Sequence, residues 1–164
     1  MLRIFFQVTI LFILLINIPI SSQDNIFTSY DLQRLRYVKE TSISPDGKFI
    51  AYTVLTPRPL TDGPGKHYEY LFIYDLEESK SYGVVGTKVN VKSIGWTADS
   101  KHITFLAKLG TDRYTQIYQV PLDGGDPRKI TNTLTSVIKY QLSSNGYDLA
   151  YTSYEVIEEK KREL

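Results

Sequence analysis

The chain contains no cysteine. A disulfide framework, a thiolate nucleophile, a cysteine-ligated metal centre and a cysteine-linked lipid are all excluded, so the fold must be held by burial alone. Histidine is nearly as scarce, His67 and His102 being the two present. That excludes a site of three imidazoles and leaves few general-base candidates. Excess charge is lacking too, since 19 Lys and Arg against 18 Asp and Glu leave a net +1. Without a basic face to neutralise phosphates, nucleic acid is not an expected partner. What remains is 164 residues, 42% hydrophobic, with 13 tyrosines, which describes one globular domain at most.

The amino terminus reads as an address. Residues 1–3 carry a positive charge, residues 4–20 are mostly apolar, and Ser21 and Ser22 offer small side chains before a polar segment. This is the layout of a secretory signal. A membrane-spanning helix needs about 20 apolar residues, whereas this run is shorter and is interrupted by Gln7, Thr9, Asn17 and Pro19. The expectation is a signal peptide over residues 1–22, cleaved near Ser22, and export to a periplasm or the exterior. Residues 23–40 follow as a leader in which Ser29 caps a short helix carrying Leu32, Leu35 and Val38.

The rest repeats itself. ISPDGKFIAYT at 43–53, WTADSKHITFL at 96–106 and LSSNGYDLAYT at 142–152 align without gaps. Each has an apolar anchor (Ile43, Trp96, Leu142) three residues before Asp46, Asp99 or Asn145, followed by Gly47, Ser100 or Gly146. Asp and Asn bond the backbone two residues on, and glycine accepts the positive φ of a tight turn, so the chain reverses there. Ser100 fits this chemistry least well. After each turn the pattern alternates: Ile50, Tyr52 and Val54; Ile103, Phe105 and Ala107; Leu149, Tyr151 and Ser153. That predicts a strand with these residues on its buried face. LFIYDL at 71–76 pairs with TQIYQV at 115–120, aligning Ile73 with Ile117, as a third strand. Short fourth strands are expected around residues 82–85 and 128–131.

Four short strands in about 45 to 53 residues, repeated, describe a β-propeller blade better than a sandwich. The fold class is therefore all-β: a partial β-propeller of about two and a half four-stranded blades, preceded by the signal peptide and the short helix. The incomplete propeller covers residues 41–164, with blade one at 41–86, blade two at 87–132 and the start of blade three at 133–164. A Pro- and Gly-rich insertion at 56–70 lengthens the first period. A propeller closes with about four to eight blades, so the outer faces of the end blades should expose residues such as Ile43, Tyr52, Leu142 and Tyr151. Self-association through open blade edges is one consequence. The other is that the chain is a fragment of a longer protein, which is the expectation here.

DLQRLRYV at 31–38, SISPDGK at 42–48 and IYQVPLDGGDPRKIT at 117–131 resemble the N-terminal propeller region of the prolyl-oligopeptidase family of serine peptidases. The likeness is strongest to its exported acylaminoacyl-peptidase and dipeptidyl-peptidase branch. It implies a non-catalytic propeller fragment that gates peptide access to an α/β-hydrolase domain, absent here, which would carry the serine nucleophile and hydrolyse peptide substrates. The Ser-Pro-Asp-Gly-Lys core is also similar to TolB-like periplasmic propellers, which leaves a protein- or peptide-binding module without catalysis as the alternative.

No catalytic, cofactor-binding or metal-binding residue is assigned. The Gly-x-Ser-x-Gly nucleophile elbow does not occur, and Ser93-Ile94-Gly95 is its nearest remnant. Neither His67 nor His102 has a serine and a carboxylate placed by a motif. Glu77-Glu78 and Glu158-Glu159 invite comparison with glutamate pairs that hold a substrate amino terminus, but their surroundings read as solvated surface. Trp96, Tyr52 and Tyr151 read as packing between blades. The terminal Lys161-Arg162-Glu163-Leu164 differs from the Lys-Asp-Glu-Leu retrieval signal at its second position and reads as coincidence.

Overall fold

The computed structural model describes residues 27–86, 88–146 and 148–155. The expected signal peptide, Glu158-Glu159 and the terminal tetrapeptide lie outside these residues. The described residues divide into two units between Asp31 and Leu32. The helix α1 spans only Ser29–Leu32. Its first turn is closed by Thr28, whose backbone N–H and hydroxyl both donate to Asp31 Oδ2, at 2.8 and 2.7 Å. The cap is therefore Thr28 rather than Ser29. Leu35 falls after the helix, Val38 lies in the first strand, and both are about half exposed.

Ten strands follow among the described residues: β1 (Tyr37–Ile43), β2 (Phe49–Thr56), β3 (Tyr68–Asp75), β4 (Lys80–Gly83), β5 (Lys92–Trp96), β6 (His102–Ala107), β7 (Gln116–Pro121), β8 (Arg128–Lys129), β9 (Val137–Leu142) and β10 (Leu149–Ser153). They form antiparallel sheets in the orders β1-β2-β3-β4 and β5-β6-β7-β8, and a β9-β10 pair. This is two four-stranded blades and the first half of a third. The first sheet reaches back to Tyr37, into the segment expected as leader.

The turns are those the sequence predicts. Gly47 (φ 73°), Ser100 (φ 58°) and Gly146 (φ 75°) all adopt the left-handed conformation after the turn Asp or Asn. A non-glycine residue there is strained. The Ser100 hydroxyl offsets that strain by accepting the Asp46 backbone N–H at 3.1 Å, which ties the turn of blade two to that of blade one. Gly146 sits similarly on the preceding turn, where an added Cβ would lie 3.0 Å from the Ala98 Cβ, whereas Gly47 has nothing within 4 Å. The turns of blades two and three thus each rest on the turn of the blade before.

The register corrects one alignment. Leu71 pairs with Thr53, and Ile117 pairs with Leu106, which the repeat equates with Thr53. The partner of Ile117 is therefore Leu71, not Ile73. A slip of two residues keeps every side chain on its face, so the alternation seen in the sequence survives. Each first strand also carries an irregularity that no sequence pattern announced: between Val38 and Glu40, between Lys92 and Gly95, and opposite Thr152 and Ser153.

The buried face of β2 is the opposite of the one expected. Ala51 and Thr53 are fully buried, whereas Ile50, Tyr52 and Val54 are only half buried. In β6, by contrast, Ile103 through Ala107 are all buried. The cause is the neighbour. Ala51, Leu71 and Ile73 of blade one pack with Ile103, Phe105, Ala107, Tyr118 and Val120 of blade two in one core. Leu106 and Ile117, on the other face of blade two, pack with Val137 of blade three in a second. Among the described residues, blade two is covered on both sides and blade one on one. Ile43 and Tyr151 are exposed as expected (66% and 45%), while Tyr52 and Leu142 are half buried.

Polar contacts lock the blades. Trp96 Nε1–H donates to the Ser42 carbonyl at 3.1 Å, and Glu40 accepts the Ile94 N–H at 3.3 Å. The Tyr140 hydroxyl contacts the Ser93 carbonyl at 2.7 Å and the Thr104 hydroxyl at 2.9 Å. Burial raises the Tyr140 phenol well above the ordinary range, so it remains a neutral donor. Glu69, 3% exposed, is neutralised by Lys39 at 2.9 Å, as a buried carboxylate requires.

Candidate functional site

The turns of blades one and two converge on a cleft of about 640 Å³. Phe49, Tyr82, Pro121 and Leu122 supply its apolar lining, and four carboxylates, Asp46, Asp75, Asp99 and Asp123, line it as well. Phe49 is fixed from behind by Trp96, with ring centroids 6.4 Å apart. A second, smaller recess of about 390 Å³ shares Tyr82, Pro121, Leu122 and Asp123 and extends to Gly124 and Gly125.

Three of these aspartates are turn residues that use one oxygen each. Asp46 Oδ1 accepts the Ser44 hydroxyl at 2.6 Å and the Lys48 N–H at 3.1 Å. Asp99 Oδ1 accepts the Thr97 hydroxyl at 2.6 Å and the Lys101 N–H at 3.0 Å. Asp75 Oδ1 accepts the N–H groups of Glu77 and Glu78 at 2.8 and 2.9 Å. The hydroxyl bond first, then the backbone bond, hold the Asp46 and Asp99 carboxyls below the ordinary carboxylate range. Among the described residues, Oδ2 of Asp75 and Asp99 and both oxygens of Asp123 have no hydrogen bond or ion pair, whereas the Ser100 side chain also bears on the Asp46 carboxyl.

The residues singled out from sequence are scattered. His102 is half buried at the start of β6 and lines the cleft, but among the described residues its ring has no hydrogen-bond partner. His67 is exposed in the loop before β3. Glu77 and Glu78 are surface carboxylates paired with Lys48 and Lys80 at 3.2 and 3.3 Å. Ser93 sits at the β5 irregularity with φ 52°, a bulge rather than a strand-to-helix elbow. Trp96 is core, 9% exposed. Tyr52 stacks on Phe72 within its own blade. Among the described residues, no histidine ring bonds a serine hydroxyl, and no group of histidines and carboxylates has the geometry to hold a metal ion.

The insertion before β3 is braced. Arg58 Nε donates to the Lys66 carbonyl at 2.6 Å, and its guanidinium lies 4.6 Å from the centre of the Tyr68 ring. Tyr68 and Lys88 both bond Asp62, at 2.7 and 2.9 Å. Blade two repeats the arrangement, with Tyr118 and Lys129 both bonding Asp112. In each blade the lysine first, then the tyrosine, hold the aspartate below its ordinary range.

No family model matches the sequence. The chain is 28% identical over 134 residues to dipeptidyl-peptidase 5 of Porphyromonas endodontalis, a match covering 81% of this chain and 18% of that protein. Its fold matches an acylaminoacyl peptidase solved with Z-Gly-Gly-Phe-chloromethyl ketone, with TM-score 0.60 and 13% identity, over 80% of this chain and 19% of that one. It also matches a TolB from Agrobacterium tumefaciens, with TM-score 0.55 and 19% identity, over 74% of this chain and 39% of that one. The structural matches show a propeller fold, and the chain spans well under half the length of each of these proteins.

Proposed function

We propose that these residues are the non-catalytic N-terminal propeller portion of an exported serine peptidase, cleaved from its signal near Ser22. The propeller gates peptide access to a hydrolase domain carried by further sequence. The observation that carries this reading is the similarity to dipeptidyl-peptidase 5, whose 134 matched residues are enough of the chain to take in both full blades. The open face of blade one is consistent with it. Its Ile50, Tyr52 and Val54 occupy the repeat positions at which Ile103, Phe105 and Ala107 of blade two are buried, so the face is built to receive another blade. A second reading, a TolB-like module that binds a protein or peptide without catalysis, has the structural match in its favour.

The genomic sequence downstream of codon 164 separates the two. A Gly-x-Ser-x-Gly elbow followed by Asp and His in frame is expected. The protein extended through it should react with a fluorophosphonate and cleave peptides, while residues 1–164 alone stay unlabelled. Further blades followed by a stop codon would overturn the peptidase reading in favour of the binding module. Amino-terminal sequencing of the exported protein should begin near Gln23.

A further inference from the structure

We propose that the cleft between blades one and two docks an arginine side chain presented on an apolar peptide segment. The cleft is concave, and its volume of about 640 Å³ lies within the range of about 300–1,000 Å³ typical of ligand sites. Phe49 and Tyr82 offer aromatic surface to an aliphatic stem and a cationic tip. The charge around that surface is one-sided. Four carboxylates line it, and Lys48 is already paired with Glu77 at 3.2 Å, which leaves Lys101 and the imidazole of His102 as the basic side chains in the lining.

Charge complementarity decides among occupants. Nucleic acid and anionic membrane are repelled by the same four groups. A bare divalent ion needs converging oxygens, and no such group is found among the described residues. A long cation with an apolar body satisfies both the lining and the carboxylates. Arginine suits it better than lysine, because Asp46 and Asp75 come from blade one and Asp99 and Asp123 from blade two, and a guanidinium presents donors in several directions. The equivalent turn of blade three carries Asn145 in place of Asp46 and Asp99, and its carboxylate, Asp148, stands at the repeat position of Phe49 and His102.

The test uses the 164-residue chain, whose single tryptophan stacks on Phe49 and reports on the cleft. Acetyl-Leu-Arg-Leu-amide is titrated by Trp96 fluorescence and calorimetry against the citrulline analogue, which has the same shape but no charge, and against acetyl-Leu-Glu-Leu-amide. The arginine peptide should bind about tenfold more tightly than the citrulline peptide, with the glutamate peptide weaker still. Asp123→Asn should weaken arginine-peptide binding about three- to tenfold without altering the unfolding midpoint, since Asp123 holds no structural bond, and Lys101→Gln should tighten it about twofold. Equal affinity for the arginine and citrulline peptides, unchanged binding in Asp123→Asn, or no binding at millimolar peptide would each overturn the proposal.

Discussion

Blades one and two share one plan and differ in what surrounds them. Each stacks an aromatic of its second strand on one of its third: Tyr52 on Phe72 with ring centroids 5.5 Å apart and planes at 19°, and Phe105 on Tyr118 at 6.0 Å and 18°. The pairs are repeat equivalents in nearly the same geometry, yet Phe105 is fully buried while Tyr52 is half exposed. Local sequence shapes the sheet, and the adjacent blade decides which face becomes core.

Truncating the two rings tests that difference most strongly. Phe105→Ala should lower the unfolding free energy by about 3–5 kcal/mol, and Tyr52→Ala by about 1–2 kcal/mol, measured by urea denaturation. Equal losses would mean that something covers the outer face of blade one.

Alkaline pH sharpens the comparison at the partner ring, because blade two has a hydroxyl there and blade one, with Phe72, has none. Burial first, and its bond to Asp112 second, push the Tyr118 phenol up to about 12. Its proton is held more tightly in the folded chain, so its contribution is complete below about pH 10 and is lost as the pH rises toward 12. Thermal melts across that window should show a shallower decline in Tyr118→Phe than in the parent chain. An unchanged slope would remove Tyr118 as a source of the alkaline loss.

The smallest contrast lies in the turns. Gly47→Ala should cost about 1 kcal/mol from its left-handed backbone alone. Gly146→Ala should cost about 1 kcal/mol more, because the new methyl meets Ala98. Matching midpoints for the two variants would show that the turns do not rest on one another.

Much of this architecture was legible from local chemistry. The Asp-Gly turns, the period-two strands and the four-strand unit each depend on a few neighbouring residues. The buried face of β2 was not legible, because the alternation of Ile50, Tyr52 and Val54 is equally apolar whether or not a blade covers it. The first-strand irregularities were hidden for a similar reason, since nothing at Lys39 or Ser93 differs in type from an ordinary strand residue. Of the cleft, the turn aspartates were visible as turn formers, and Ser100 only as a poor one. That Asp46 and Asp99 meet Asp75 and Asp123 around one opening depends on how two sheets stack, which no single stretch of chain encodes.

Trp96, Ser100 and Tyr140 share a polarity: each places a side-chain polar atom on the backbone of the preceding blade, at Ser42, Asp46 and Ser93. The receiving groups are in place as soon as the earlier blade has formed, and the group that seeks them arrives with the next. A chain emerging from the ribosome amino end first therefore meets these three docking surfaces in the order it needs them, while the Glu40 carboxylate of blade one waits for the Ile94 N–H of the blade that follows.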